Sequence, residues 1–510
     1  MFEILKSIIK SIGKGIYNDP ELQKVLERHP RLFRFIQKRL TPDEKFGLYL
    51  TLGIFITLIF MFLFFGVLED LISHDPLVQA DLRIVNVVQI FRNPTFNKVM
   101  LFITYLGKWQ IVLSGVLALI IFLILLKRWH YIAALITSVV CGEGFIWLLK
   151  NIIQRPRPPL INALAPEASF SFPSGHSFVA FSFYGLFAYF LFREMRGRFS
   201  KILGILAAIC IIIAIGFSRI YLGVHWPSDV LASYALGAAW LAALITPLEI
   251  RRRFNFYKTE KPYVKKSSVA IWTGIILFSV WGLYLGYFFK NHPLRAGMQA
   301  PTHQTIISKK EIPKNLFSAL PRTSENITGG PMEPIHLIFV ASREGLDRAL
   351  TRAGWFPTDP ITFKTLWRII YTSLFNKSYP QAPGTPSFWN AQPNDFAYEK
   401  PSSLNSVRER HHVHFWKTTF ILNDQRAVWF STAHFDTSIR LKPDFIFPTH
   451  SIDPAIDKER EMIKNDLSKT GYVESIIEFQ IVEPTLGSNQ AGDYFFTDGK
   501  AYVIFLKTSH

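Results

Sequence analysis

The apolar runs of this chain decide its architecture. Seven stretches of about 20 mostly apolar residues are long enough to cross a hydrocarbon core. All lie before residue 290, and none lies in the final 221 residues. Their predicted bounds are Phe46–Leu68, Gln110–Leu126, Trp129–Leu149, His176–Phe192, Ile202–Phe217, Asp229–Ile245 and Val269–Phe289. The fifth and sixth are short but dense in Ile, Leu and Ala. The first follows a long, charged stretch of 45 residues rather than a leader, so it is expected to act as an uncleaved anchor. A wholly soluble or wholly disordered chain is excluded. The two cysteines, Cys141 and Cys210, lie inside apolar runs and form no disulfide framework.

A net charge of +18 invites a nucleic-acid reading, but its distribution argues otherwise. Segments 1–45, 127–128, 193–201 and 249–266 hold 23 Lys+Arg against 9 Asp+Glu. Seven spans place all four on one side. The opposite turns, 69–109, 150–175 and 218–228, hold 8 Lys+Arg. The positive-inside rule then puts the amino terminus in the cytoplasm and residues beyond 290 on the other side. Residues 1–45 read either as a basic surface helix dipping Ile8, Ile9 and Ile12 into lipid, or as a solvated extension. The predicted division is a basic amino-terminal segment (1–45), a six-span domain (46–247), a loop and seventh span (248–289), a linker rich in Pro, Lys, Ser and Thr (290–330), and a soluble domain (331–510).

Three pieces carry chemistry. Lys150 and Arg157-Pro158 close the third run, Pro173-Ser174-Gly175-His176 opens the fourth, and Ser218-Arg219, His225 and Asp229 link the fifth to the sixth. The first two share a loop and the third returns two spans later, so all three reach one face. Lys150, Arg157 and Arg219 are cations at the membrane edge, suited to phosphate oxygens. Ser174 and Gly175 sit at a predicted helix start, where free N–H groups bind anions and glycine admits a close approach. His225 and Asp229 are four apart and would share a helix face, with Pro227 in its first turn. Asp229 would fix the ring of His225 and leave its other nitrogen free to attack; His176 would protonate the leaving oxygen. Alone, each piece is ordinary: a snorkelling basic pair, a helix cap, a structural hydrogen bond. Together, on one face, they point to phosphoryl transfer.

These residues resemble the signature of the type 2 phosphatidic acid phosphatase family, whose motifs are Lys-x6-Arg-Pro, Pro-Ser-Gly-His and Ser-Arg-x5-His-x3-Asp. All three match without departure, and the resemblance covers about residues 46–247. It implies an all-α polytopic membrane helix bundle, with a six-helix phosphatase core plus one further span. It also implies His225 as a nucleophile forming a phosphohistidine, Asp229 as its orienting group, and His176 as general acid and later base. Lys150, Arg157, Ser174, Gly175 and Arg219 would bind the phosphoryl oxygens, with no cofactor and no metal. The implied substrates are lipid phosphates or diphosphates such as phosphatidic acid, phosphatidylglycerophosphate or undecaprenyl diphosphate, cleaved at the outer face of a bacterial inner membrane. The family's vanadate-dependent haloperoxidases are soluble as a rule, and the spans here argue against that branch. A phosphotransferase and a non-enzymatic lipid-binding or transport scaffold are the competing readings; intact His176, His225 and Asp229 weigh against the scaffold.

Residues 331–510 read as a separate soluble α+β domain. Strands are predicted at Ile335–Ala341, His412–Leu422, Ala427–Ala433, Tyr472–Val482 and Ala501–Lys507, and helices near Glu344–Ala353 and Asp457–Ser468. Ala353-Gly354-Trp355, Arg410-His411-His412 and Phe435-Asp436 resemble the LssY carboxy-terminal domain family, as do His450 with Asp453 and Asp457–Arg460. That resemblance implies no activity, only a binding or regulatory module for an unknown periplasmic partner. His411, His412 and His414 cluster, and His434, Asp436, His450, Asp453 and Asp457 follow, a set that could bind a metal, against a polar network or a solvated strand edge. His412 and His414 alternate onto one strand face and, with Asp436 and His450, are the metal-ligand candidates singled out.

Overall fold

The computed structural model describes residues 45–159, 163–195, 197–254, 268–294, 304–312, 316–318, 320–375, 379, 381–402, 409–440, 449–489 and 492–507. The amino-terminal 44 residues, with the surface-helix expectation at Ile8, Ile9 and Ile12, lie outside these.

The first half is helical: α1 (Lys45–Ser73), α2 (Pro76–Gln89), α3 (Pro94–Tyr105), α4 (Trp109–Leu125), α5 (Trp129–Ile153), α6 (Gly175–Glu194), α7 (Arg198–Tyr221), α8 (Pro227–Phe254) and α9 (Ser268–Asn291). Six of them, α1 and α5 to α9, are each long and apolar enough to cross a membrane. The predicted second span differs. Its helix, α4, has 17 residues and follows α3 at a bend of 48°, so a seventh crossing exists only if the bent pair counts as one. Asn93 caps α3, its side chain accepting from the Phe96 N–H at 2.8 Å, and Pro94 supplies the first residue. The segment 69–109, read as a turn, thus contains two helices. Both are amphipathic or short, and neither gives a continuous apolar run.

Large apolar side chains such as Phe62, Leu283 and Phe199 point outward, as lipid-facing residues do. Small residues let the helices approach closely. A Cβ on Gly216 of α7 would lie 1.9 Å from the hydroxyl of Tyr234 on α8, and one on Gly53 of α1 would lie 2.0 Å from Thr246 Oγ1. α5 and α6 each contain a π turn, at Thr137–Cys141 and Ala180–Gly185. The two meet: Ser138 Oγ donates to the Ser182 carbonyl at 3.1 Å. Hydropathy carries no signal for such turns.

The second half is built on a nine-stranded sheet. Its strands are β1 (Thr305–Ile307), β2 (Leu337–Ala341), β3 (Phe356–Pro357), β4 (Phe396–Pro401), β5 (Arg410–Leu422), β6 (Ala427–Arg440), β7 (Thr449–Ile452), β8 (Val473–Gln480) and β9 (Lys500–Leu506). The order is β8-β9-β2-β6-β5-β4-β3, with β1 on β5 and β7 on β6. Helices α10 (Arg343–Arg352) and α12 (Ile456–Ser468) cover one face, where Leu350, Ile463 and Leu467 pack on Phe339, Phe415 and Trp429. Helix α11 (Phe363–Leu374) opens with a capping box at Thr362 and Thr365. All seven elements predicted in this half are present, six of them within two residues of their expected bounds, while the strand predicted at Ala427–Ala433 continues to Arg440. The stretch 290–330 also contributes structure: β1 pairs in register with Phe420–Leu422, and Thr323–Glu325 pairs with Phe388 and with Pro331–Pro334.

The halves touch at α2. Arg83 forms an ion pair with Glu325, and Asn86 Nδ2 donates to the Ala391 carbonyl at 2.8 Å.

Candidate active site

The three sequence pieces converge where the α5–α6 loop meets the α7–α8 turn. Lys150 lies in the last turn of α5, and its ammonium donates to the carbonyls of Phe170 and Ser171. Gln154 ends that helix in the left-handed region (φ 51°) and turns the chain toward Arg155 and Arg157. Gly175 opens α6 with Ser174 as N-cap, so the first N–H groups of α6 have no intrahelical partner and face the loop. A Cβ on Gly175 would meet only Ile146, at 3.9 Å, so the space before it is open.

His225 lies in the turn before α8, not on the helix, so its contact with Asp229 arises from the turn rather than from helical spacing. Its Nδ1 sits 3.2 Å from Asp229 Oδ2, and its Nε2 sits 3.2 Å from Arg157 Nη1. The arrangement is that of a neutral ring: Nδ1–H donates to the carboxylate, and the Nε2 lone pair faces a guanidinium. Burial first, then the charges of Arg157, Arg219 and Lys150, hold its pKa well below the usual 6.5.

Asp229 is fully buried and fully used. Its Oδ2 also accepts from the Trp226 N–H at 3.0 Å and from the Ser171 hydroxyl. Its Oδ1 accepts from Arg155 Nη1 at 2.6 Å. Arg155 continues to Ser228 Oγ and, through Nη2, to Asp81 Oδ2 on α2, both at 2.7 Å. Asp81 Oδ1 in turn accepts from the Ser228 N–H at 3.0 Å. Sequence reasoning missed this support. Arg155 was legible as a second arginine inside Lys150-x6-Arg157, but Asp81 is 148 positions from Asp229 and lies in a segment read as a turn.

The cation side holds a surprise of the same kind. Arg219, 1% exposed, is anchored by Nη1 on Thr104 Oγ1 at 2.7 Å. Its Nη2 meets Glu167 Oε1 at 2.5 Å, while Arg157 Nη2 meets Glu167 Oε2 at 3.1 Å. His176 Nε2 is 3.9 Å from the same Oε1. One carboxylate thus spans the two guanidinium groups and faces the imidazole. Burial alone would raise the Glu167 carboxyl, but the surrounding positive charge, Arg219 foremost, holds it well below the usual carboxylate range. A cavity of about 400 Å³ opens beside it. Thr104, Lys108, Glu167, His176 and Arg219 form its polar wall, and Leu101, Leu164 and Leu294 are among its apolar lining. No loop signal marked Glu167 in the sequence.

The candidate residues of the other half are partly gathered. The ring nitrogens of His412, His414 and His434 include one from each residue within 4.8 Å of the others. Asp436 borders them, with Oδ1 3.4 Å from His434 Nε2. His434, one of the candidates in the wider set, is brought beside them by strand alternation and the β5–β6 pairing. His450 is in β7, paired with Ile439, and its side chain lies outside the described residues. His411 points to the opposite face, toward Glu459 at 2.8 Å.

Residues 127–253 match the family described as PAP2 superfamily, and residues 317–501 match the family described as LssY C-terminus. Phosphatidylglycerophosphatase B of Bacillus subtilis is 35% identical over 182 residues, 35% of this chain and 87% of that protein. Undecaprenyl-diphosphatase of Sulfolobus acidocaldarius is 26% identical over 202 residues, 38% of this chain and 89% of that protein. Among solved structures, a transmembrane PAP2 type phosphatidylglycerolphosphate phosphatase from Bacillus subtilis matches at 30% identity, covering 40% of this chain and 98% of that one, with a TM-score of 0.34. On the motifs, the matched region and the identity to a relative covered nearly end to end, this chain belongs to the PAP2 superfamily and carries an LssY C-terminus behind its membrane helices.

Proposed function

We propose that the protein is a metal-independent phosphatase of membrane lipid phosphates or diphosphates, acting through a phosphohistidine. The observation that carries this reading is His225, a buried neutral imidazole. Asp229 holds its Nδ1, and Arg157, Arg219 and Lys150 supply positive charge around its Nε2. That is the environment a nitrogen nucleophile needs to attack a phosphorus centre bearing negative oxygens.

The phosphoryl group takes the position of the Glu167 carboxylate, its oxygens on Arg157, Arg219, Lys150 and the N–H groups at Ser174 and Gly175. His225 Nε2 forms the N–P bond as the P–O bond to the lipid breaks. His176 gives its proton to the departing oxygen. Water then attacks phosphorus, loses a proton to His176, and releases inorganic phosphate while the N–P bond breaks. Cations and backbone dipoles stabilise the transition state, so the step calls for no metal.

The relatives act on different lipids, as their names say. The substrate class, phosphatidic acid, phosphatidylglycerophosphate or undecaprenyl diphosphate, is set by the apolar wall beside Glu167. The charge distribution supports an amino terminus in the cytoplasm of a bacterial inner membrane, with site and carboxy-terminal domain on the periplasmic side. The soluble domain is then a module for a periplasmic partner.

The test is phosphate release by the purified chain in detergent with EDTA, over a panel of those lipids. Release from one of them, lost in His225→Ala, supports the reading. Release that strictly requires a metal, or release undiminished in His225→Ala, overturns it. If label moves to an added acceptor instead of water, the enzyme is a phosphotransferase through the same intermediate. A reporter fused after residue 510 tests sidedness: a periplasmic signal is expected, and a cytoplasmic one contradicts the topology.

A further inference from the structure

One face of the carboxy-terminal sheet changes character along its length. At one end Val340, Trp416, Val428 and Phe430 form an apolar core. Two residues further along each strand, that side of the sheet becomes polar while staying inside the protein. His414 follows Trp416 backward along β5, then His412 and Arg410; Thr432 follows Phe430 along β6, then His434 and Asp436. Pairing sets His412 opposite His434 on one side and opposite Glu399 of β4 on the other. His412, His414, Glu399, Arg410 and Asp436 are all 3% exposed or less.

Ionisable side chains at such positions are costly compared with the valines and phenylalanines that fill the same face nearby. A buried polar cluster of this kind calls for a ligand or a fully satisfied network. Arg410 accounts for part of it, with Nη1 2.7 Å from Glu399 Oε1 and Nε 3.3 Å from Asp436 Oδ2. The three imidazoles face one another, with ring centroids 4.2, 5.6 and 5.7 Å apart. Among the described residues the buried Nδ1 of His434 has no hydrogen-bond partner.

We propose that His412, His414 and His434 bind a divalent transition-metal ion of the zinc class inside the carboxy-terminal domain. Three imidazole nitrogens within 4.8 Å of one another need to close by about 1.5 Å at most to reach the ~3.3 Å spacing of a tetrahedral site with bonds of ~2.05 Å. Asp436 supplies the orienting carboxylate: its Oδ1 is 3.4 Å from His434 Nε2, which leaves His434 Nδ1 for the metal. Gly384 backs the His412 ring so closely that a Cβ there would lie 2.1 Å from Cε1, so the loop fixes that ligand. Three nitrogen ligands of this softness suit zinc, nickel or copper rather than magnesium or calcium. The site uses none of the residues assigned to phosphoryl transfer and does not depend on that assignment.

The experiment uses the full chain, purified in detergent without a histidine tag, stripped with chelator and then given ZnCl2 or CoCl2 alone. Metal content after gel filtration should be roughly one ion per chain. Cobalt should give the visible bands of a low-symmetry nitrogen site, and zinc should raise the unfolding temperature of the wild-type protein. His414→Ala and His434→Ala should each abolish loading. Gly384→Ala, which keeps every ligand but displaces one ring, should weaken it by 10-fold or more, and Asp436→Asn by about 10–100-fold. His130→Ala, in the membrane half, should load like wild type. Wild type that takes up no ion and shows no thermal shift overturns the proposal, as does loading unchanged in both histidine variants. Because the first two measurements are made on the wild type, a variant that fails to fold does not decide the matter.

Discussion

Glu167 holds Arg219 and Arg157 on its two carboxylate oxygens, at 2.5 and 3.1 Å. Arginine pairs with carboxylate and phosphate through the same charge-assisted hydrogen bonds. In the proposed mechanism the phosphoryl group displaces this carboxylate.

Glu167→Gln should therefore tighten binding of inorganic phosphate. Removing the competing charge should lower the phosphate inhibition constant about 10-fold, equivalent to about 1.4 kcal/mol. Inhibition of lipid turnover by added phosphate measures it. An unchanged or weaker constant would show that Glu167 organises the arginines rather than competing for them.

Arg155 lies between two buried carboxylates, 2.6 Å from Asp229 Oδ1 and 2.7 Å from Asp81 Oδ2. Arg155→Ala leaves both without their cation and should cost about 3–5 kcal/mol of stability, read by thermal unfolding in detergent. Asp81→Asn keeps a hydrogen-bonding group and should fold. It should lower kcat 10-fold or more with KM little changed, because it touches no substrate and acts through Arg155 on Asp229. Wild-type kcat in Asp81→Asn would remove α2 from the site's support.

The pH profile follows from His225. In the proposed mechanism its neutral form is the nucleophile, and its pKa is held well below 6.5 by burial and then by Arg157 and other cations. The acid limb of kcat/KM should therefore lie below pH 6.5, and Arg157→Ala should move it upward as it lowers the rate. The same shift makes folding pH-dependent. The unfolded chain takes up a proton near 6.5 and the folded one does not, so His225 contributes stability above that pH and loses it as pH falls. His225→Asn should flatten that part of the stability profile, measured by unfolding temperature between pH 7 and 5.

The features legible in the sequence were those written as local pattern. Apolar runs gave six of the crossing helices directly, and alternation gave the strands that carry His412 and His414. The contact of His225 with Asp229 followed from residue types four apart, although the turn before α8, not a helix face, makes it. What was not legible depends on chain segments meeting in space. Asp81 reaches Ser228 and Arg155 only because α2 lies against the start of α8. Glu167 reaches Arg219 only because its loop folds inward. His434 joins His412 and His414 only through the register of β5 on β6. The bend between α3 and α4 at Leu106–Lys108 left no mark in hydropathy, since both flanks are apolar.

The central claim is that His225 carries the phosphoryl group. Rapid acid-free quenching of a reaction with a radiolabelled lipid phosphate tests it most directly. The account predicts a label on protein that is stable to alkali and labile to acid, present in the wild type and absent in His225→Ala. A label that persists in His225→Ala, or turnover by the wild type with no labelled protein, would contradict it.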